Sequence, residues 1–350
     1  MSRTMRAQRL HTATGTVTVE DIPIPQPGPG EVLVEIAFCG ICHSDLSLID
    51  GTFPPPLPMV TQGHEASGVV TELGAGVTTW AKGDRVLLRA GRACSRCRNC
   101  ICGRNEECQD RQSMAFHYDG AWAEYALAQE SGLVRVPDNV PLEQAALLTD
   151  AVATPYGAVV STGKVAIGET VGVWGVGGIG SHTVQIARLV GAVPIIAFDV
   201  NPAVLERALD LGADYAFDSR DENLKQKVAE VTDGRMLDVA FDSVGLGSTF
   251  DQALEFLRIG GRLVVVGLSD QKATLGDITS FGLSRKQVLA HFGGSPAALE
   301  TLTELVSRGR LDLNRSISEI ISLEDIASGI AKLRNHEGNP IRILVDPRRG

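Results

Sequence analysis

No stretch of the 350-residue chain is apolar for long enough to cross a bilayer. Runs such as Leu263 to Leu268 suit a buried strand, well short of the ~20 apolar residues of a membrane-spanning helix. The opening segment, Met1 to Arg9, alternates charge with polarity and lacks the apolar core of a secretory signal, so a cytoplasmic location is expected. Positive charge is in deficit. With 32 Lys and Arg against 42 Asp and Glu, the formal charge of −10 opposes nonspecific attraction to nucleic acid or an anionic membrane, and neither is an expected partner. Low-complexity tracts and internal repeats are also missing. The 44% hydrophobic and 21% charged residues are the balance of an ordinary globular protein, of a length that suits two domains. Seven cysteines in a cytosolic chain point to metal or catalysis more than to disulfides.

What is there is organised around Val171 to Asp199. A short apolar strand, Val171 to Trp174, runs into Gly175-Val-Gly177-Gly178-Ile179-Gly180, then a helical run from His182 to Val190, then a second strand, Ile195 to Asp199. Gly175 allows a tight turn, Gly177 lets a pyrophosphate approach the backbone, and Gly180 lets the helix pack closely on the strand. The helix start offers unpaired N–H groups and partial positive charge to phosphates. Asp199 follows Gly180 by 19 residues, close to the ~20 expected of a carboxylate that accepts from an adenosine ribose. It would repel a 2′-phosphate, which favours NAD over NADP. Further strands are expected at Tyr215 to Asp218, Asp238 to Asp242, Leu263 to Gly267 and Val288 to Phe292, with helices such as Pro202 to Leu211 and Thr249 to Leu257 between them. Six strands make a doubly wound parallel domain.

The first half is β-rich, with strands expected at Val17 to Ile22, Val32 to Phe38 and Gly68 to Thr71. Within it, Cys94, Cys97, Cys100 and Cys108 form a C-x2-C-x2-C-x7-C array, whose four thiolates can close a tetrahedral, structural zinc site. Cys102 is surplus to it and reads as a free thiol. Two further groups, Cys39-Gly-Ile-Cys42-His43-Ser44-Asp45 and Gly63-His64-Glu65, supply thiolate, imidazole and carboxylate, the donors of a catalytic zinc with one open position.

Together these motifs resemble the zinc-dependent medium-chain alcohol dehydrogenase family over essentially the whole chain. The resemblance implies an α/β architecture. A GroES-like β-rich catalytic domain (1–153, with the cysteine lobe at 94–108) precedes a six-stranded Rossmann domain (154–294), and residues 295–350 return to the catalytic domain with a strand at Ile341 to Val345. The active site would lie in the cleft between them. By the same resemblance Cys42 and His64 bind the catalytic zinc, Asp45 orients His64, Glu65 sits behind the metal and Cys39 is a bystander. Many family members carry Cys as third ligand. Here Leu148-Thr-Asp150-Ala places Asp150 there, as in a subset of bacterial secondary-alcohol dehydrogenases. The other reading makes Asp150 an N-cap of the following helix, with Glu65 or water as third ligand.

The family also implies Thr154 against the nicotinamide, His43 and Arg342 near the pyrophosphate, and backbone groups of Val244, Val266 and Leu268 around the nicotinamide; for Arg342 a solvated charge is the alternative. The cofactors implied are NAD and two zinc ions per chain. The implied reaction is reversible oxidation of a primary or, better, secondary alcohol, with Ser44 hydrogen-bonding the substrate oxygen and relaying its proton. Where relatives continue that relay through His, this chain has Ser47. Phe53, Trp80, Ala90, Phe116, Trp122 and Leu268 are candidates for the substrate bed, although the aromatics of the turn and strand Asp119 to Tyr125, Trp122 among them, suit the core better than substrate contact. A polyol, sugar or hydroxyacyl substrate, a zinc-free quinone or enoyl reductase, and a non-catalytic zinc and NAD sensor are the alternatives. A homo-oligomer is expected, a tetramer before a dimer.

Overall fold

Strand Glu31–Ile41 reads as a near-continuous apolar run, as suits a strand with neighbours on both sides and both faces covered. In the computed structural model, which describes residues 3–349, it is the centre of a seven-stranded sheet. The path runs Leu133–Arg135, Arg85–Leu88, Ala66–Leu73, Glu31–Ile41, Arg342–Asp346, Ile317–Ser322, with Tyr125–Gln129 also paired to the central strand. A three-stranded sheet of Thr16–Pro23, Thr4–His11 and Met59–Val60 accompanies it, and Gly91–Arg92 pairs with Gln112–Ser113 at the root of the cysteine lobe.

These elements belong to one of two compact units, formed by the chain up to Ala151 and again from Ser295 on. The return segment is stitched in by register: Ile343 faces Ile41, Leu344 faces Gly40 and Val345 faces Cys39. Its neighbour Ile317–Ser322 was not expected from the sequence, because Ser318 and Glu319 break its apolar pattern. Val34, Ile36, Ile41 and Trp122 are fully buried in this unit's core, where each apolar side chain of that size contributes about 1.5–3 kcal/mol.

The second unit, Val152–Gly294, holds a six-stranded parallel sheet. Its order is Tyr215–Asp218, Ile195–Asp199, Val171–Trp174, Leu237–Asp242, Leu257–Val265, Gln287–Ala290, the 3-2-1-4-5-6 order of a doubly wound dinucleotide fold. Helices Gly178–Leu189, Pro202–Asp210, Leu224–Val231 and Gly247–Phe256 join consecutive strands. Asn201 shows how one is started: its side chain accepts from the Ala203 N–H at 3.0 Å, and Pro202 occupies the first turn. Trp174 stacks on Phe198 at 4.1 Å between ring centres in the sheet's core and donates its indole N–H to Gln252. The order of strands reverses beside Val171–Trp174, so a ligand site is expected just beyond that strand's carboxyl end.

Candidate functional site

Cys42 ends the extended approach to helix His43–Ile49, and Asp45 fixes the start of that helix by accepting from the Cys42 N–H at 2.9 Å. The other oxygen of Asp45, fully buried, lies 3.5 Å from His64 Nδ1. One carboxylate thus sets both the thiol-bearing turn and the imidazole. His64 follows Gly63, whose φ of +88° is a left-handed conformation that glycine adopts without strain. A side chain on Gly63 would also strike Trp122 and Cys39 Sγ.

Asp150 projects from the π-helical turn Leu148–Val152 with Oδ2 3.6 Å from His64 Nε2 and 3.7 Å from Cys42 Sγ. It does not cap the next helix, Ala153–Tyr156, whose N-cap residue is Val152. Ser44 Oγ is 3.4 Å from His64 Nε2.

Glu65 completes a group of four residues whose donor atoms lie within 4.8 Å of one another: Cys42, His64, Glu65 and Asp150. Its carboxylate is committed elsewhere. Arg342 grips it in a fork, Nη2 to Oε1 at 2.7 Å and Nε to Oε2 at 2.9 Å, with both side chains essentially inaccessible to solvent. Arg342 Nη2 also lies 3.6 Å from Cys42 Sγ. The reading of Arg342 as a solvated charge is therefore wrong. Glu65 was foreseen behind the metal, but its arginine partner, 277 residues away in the chain, was not. Gly40 is equally silent in the sequence, yet a side chain there would overlap the Glu65 carboxylate. Gln62, buried, donates to the Asp45 carbonyl and hydrogen-bonds Gln8.

The donor set fits zinc. Tetrahedral coordination at ordinary Zn–S, Zn–N and Zn–O lengths puts sulfur and oxygen roughly 3.6 Å apart, nitrogen and oxygen roughly 3.4 Å; the separations here are 3.7 and 3.6 Å. Burial resists charging His64, yet Asp45 and Asp150 outweigh it and draw the ring towards the protonated form, the response of a pocket that holds more negative than positive charge.

The lobe cysteines also converge. Cys97 Sγ lies 3.5 Å from Cys100 Sγ, and Cys94 Sγ 4.0 Å from it, against a ~3.8 Å edge for four thiolates on zinc. Backbone N–H groups of Cys94, Cys97 and Asp110 point at sulfur, and all seven cysteines are unpaired. The N–H groups of Cys100 and Gln109 bring the Cys97 thiol down to about 6, while burial and its neighbouring sulfurs push Cys100 up to about 12. Cys102 is exposed and outside the cluster, and Cys39 is buried.

In the second unit Gly175 has φ +75°, and its N–H closes on Phe198. A side chain on Gly180 would overlap the Gly175 carbonyl, whereas one on Gly177 would meet only open space. The loop is thus held close where helix meets strand and left open where a phosphate would approach. Gly178 and Ile179 begin helix Gly178–Leu189. Asp199 ends its strand with Oδ2 accepting from Val176 N–H and Oδ1 from the N–H groups of Val200 and Asn201. Thr154 is buried in its short helix, Val266 is buried past the end of strand Leu257–Val265, Val244 follows Leu237–Asp242, and Leu268 is exposed. His43 is exposed and stacks on His336 at 5.8 Å.

Two members of the expected substrate bed are otherwise engaged. Trp122 is fully buried and donates to the Gly40 carbonyl, and Trp80 packs on the core with its indole N–H on the Glu130 carbonyl. Phe53 and Phe116 lie against Leu10, Leu48 and Val60, and Ala90 is half-buried.

Fold and donor sets together define a metal-binding oxidoreductase with a dinucleotide domain, and comparison with known proteins agrees. The alcohol dehydrogenase GroES-like domain family matches residues 28–138, and the zinc-binding dehydrogenase family residues 178–308. An NDMA-dependent alcohol dehydrogenase of Amycolatopsis methanolica is 34% identical over 97% of this chain and 98% of its own. A protein of Sinorhizobium meliloti 1021 described as a zinc-binding dehydrogenase, solved bound to NADP, superposes with a TM-score of 0.92 at 29% identity, covering 99% of this chain and all of its own. Acetophenone reductase of Geotrichum candidum, solved with NAD, gives 0.87 at 29% identity, over 99% and 98% of the two chains. The chain belongs to the zinc-dependent medium-chain alcohol dehydrogenase family.

Proposed function

We propose that the chain is an NAD-dependent dehydrogenase of secondary alcohols that holds two zinc ions, one at Cys42, His64 and Asp150 and one at the four lobe cysteines. The observation that carries the reading is the convergence of those three donors at zinc spacing in a unit whose companion bears the Gly175–Gly180 loop and Asp199. Zinc, when bound, supplies Lewis acidity that lowers the pKa of an alcohol hydroxyl, and NAD supplies a hydride acceptor.

The chain's own residues do the rest. Asp45 holds His64 by Nδ1 and leaves Nε2 for the metal. Ser44 Oγ, at 3.4 Å from that nitrogen, takes the hydroxyl proton and passes it on. With Ser47 bonded to the His43 carbonyl, the outer end of the relay runs through water. His43 meets the pyrophosphate, Thr154 with the backbone at Val244, Val266 and Leu268 surrounds the nicotinamide, and Arg342, sealed against Glu65 behind the donors, is not free to reach the pyrophosphate as expected. Asp199 accepts from the ribose hydroxyls and repels a 2′-phosphate. The enzyme works in the cytoplasm as a homotetramer, which light scattering tests.

Similar proteins are solved with NADP and with NAD, and another is named for NDMA, so the decisive assay scans primary and secondary alcohols with each of the three. Oxidation of secondary alcohols with NAD is expected. Preference for NADP, or turnover only with NDMA, overturns the cofactor assignment; reduction of enones alone overturns the reaction. Metal analysis of Asp150→Ala should find one zinc where the wild type holds two, and retention of both removes Asp150 from the ligand set.

A further inference from the structure

Away from the metal cluster, the same unit contains a cavity of about 320 Å3 that the proposed reaction does not use. Its volume is at the small end of the roughly 300–1,000 Å3 typical of small-molecule pockets. Arg89, Arg92 and Tyr118 stand on its wall, and Met5, Leu88 and Met114, all buried, supply its apolar lining.

The polar end is short of negative charge. Arg92 donates Nε to Gln112 Oε1 at 2.7 Å and lays its guanidinium over the Tyr118 ring at 4.3 Å, leaving its terminal nitrogens without an ion pair among the described residues. The guanidinium of Arg89, half-buried, makes neither a hydrogen bond nor an ion pair among the described residues. Burial and the charge of Arg111 lower its pKa, Glu106 opposing them from beyond ion-pair range. Burial pushes the Tyr118 hydroxyl up to about 12, against the pull of Arg92, Arg89 and Arg111. Thus three cations surround one neutral phenol. The carboxylates on the wall are engaged: Asp119 accepts from Arg9 and the Thr61 N–H, Glu31 from the Gly28 N–H.

A partly desolvated guanidinium is stabilised by an oxyanion in its fork, and the apolar lining excludes an anion that is charged throughout. We infer that this cavity is a second ligand site, which takes a carboxylate bearing an apolar chain of medium length, the carboxylate on Arg89 and Arg92 with Tyr118 donating to it, and the chain against Met5, Leu88 and Met114.

Calorimetric titration of the zinc-loaded enzyme with octanoate, octanamide and inorganic phosphate tests this. Octanoate should bind at least 10-fold more tightly than either of the others. Arg89→Met should weaken it about 10-fold or more while leaving alcohol turnover and thermal midpoint unchanged, and Arg89→Lys should recover part of the loss. Cys42→Ser, which removes the catalytic metal, should leave octanoate affinity intact. Equal binding of octanamide, indifference to Arg89→Met, or loss of binding in Cys42→Ser each overturns the assignment, the last by placing the acid on the catalytic metal. Because alcohol turnover is read separately, failure here is distinguishable from failure of the proposed reaction.

Discussion

Replacing Arg342 by methionine keeps most of the stem and removes the charge, and the structure gives that change an unusually clear magnitude. Glu65 and Arg342 have 0% and 2% side-chain exposure, and the guanidinium reaches both carboxylate oxygens. Removing one partner strands the other in the interior, which costs about 3–5 kcal/mol. An exposed pair would cost about 0–1 kcal/mol, so the two situations are well separated. At ~2–4 °C per kcal/mol for a unit of this size, the thermal midpoint should fall by roughly 6–20 °C. The companion measurement is the double variant Arg342→Met with Glu65→Leu, in which no charge is left alone. Apolar replacement of a whole buried pair is often neutral, so this variant should recover to within about 1–2 kcal/mol of wild type. Tryptophan emission can be made specific: Trp80 and Trp122 lie in the metal-bearing unit and Trp174 in the other, so a Trp174→Phe background reports the first alone. Urea titrations at saturating zinc give the numbers. A single-variant loss below about 1 kcal/mol, or a double variant as unstable as the sum of its singles, would refute the reasoning.

The glycine loop yields a contrasting pair. Gly180→Ala drives a methyl into the Gly175 carbonyl and should lower both the stability of the second unit and dinucleotide affinity; Gly177→Ala meets only open space and should weaken dinucleotide binding about 10-fold or more at unchanged midpoint. Calorimetry with NAD reads both, and equal destabilisation by the two would count against the assigned roles. In the second unit Glu169 is half-buried, which alone would raise its pKa, but hydrogen bonds from Arg262 and the Ala166 N–H hold it below its ordinary 4.5. A depressed folded pKa stabilises above the unfolded value and loses that contribution as pH falls through the folded one. Glu169→Gln should therefore cost about 1–2 kcal/mol at neutral pH, and the gap to wild type should narrow below about pH 4.5; a gap independent of pH would show that the charge is not what stabilises. Cys97→Ser should remove one zinc per chain by elemental analysis and speed tryptic cleavage at Arg96, Arg98 and Arg104, since helix Arg98–Ile101 buries none of its residues; undiminished metal would contradict a four-thiolate site.

The elements written most plainly in the sequence were those whose signal is local. Strands Val171–Trp174, Ile195–Asp199 and Tyr215–Asp218 occur with the expected bounds, because buried parallel strands are short apolar runs punctuated by glycine and helix caps. The four lobe cysteines lie within 15 residues and announce themselves by spacing. Less legible was whatever depends on contacts between distant segments. Glu65 and Arg342 are joined only because Arg342–Asp346 docks antiparallel on Glu31–Ile41, and nothing near either residue in sequence encodes that register. Gln8 and Gln62, a buried amide pair, are silent for the same reason. Trp122 sits between the two: its turn-and-strand segment reads as core while its aromatic ring keeps it a candidate for substrate contact, and its total burial and its bond to Gly40 decide for the core.

Charge explains why these distant residues converge. Cys42 and Asp150, both ionised, would supply two negative charges, which one divalent cation matches. Asp45 adds a third within reach of His64 Nδ1, which favours the tautomer with its proton on that nitrogen and leaves Nε2 facing Asp150 and Ser44. Glu65 would add a fourth. Left alone at that depth it would take up a proton or repel the thiolate, and either outcome would blur the donor set. Arg342 cancels it inside a bidentate fork and extends one nitrogen towards Cys42 Sγ, which gives the sulfur a cationic neighbour. The pair thus contributes no net charge while filling the space behind the donors with groups that cannot reorganise freely. A hydrophobic pair would pack as well, but would leave Cys42 without a donor on that side. The ion pair is therefore better understood as setting the thiolate's electrostatic surroundings than as stabilising the fold, which is why its removal in concert can be nearly neutral for folding and still alter the metal.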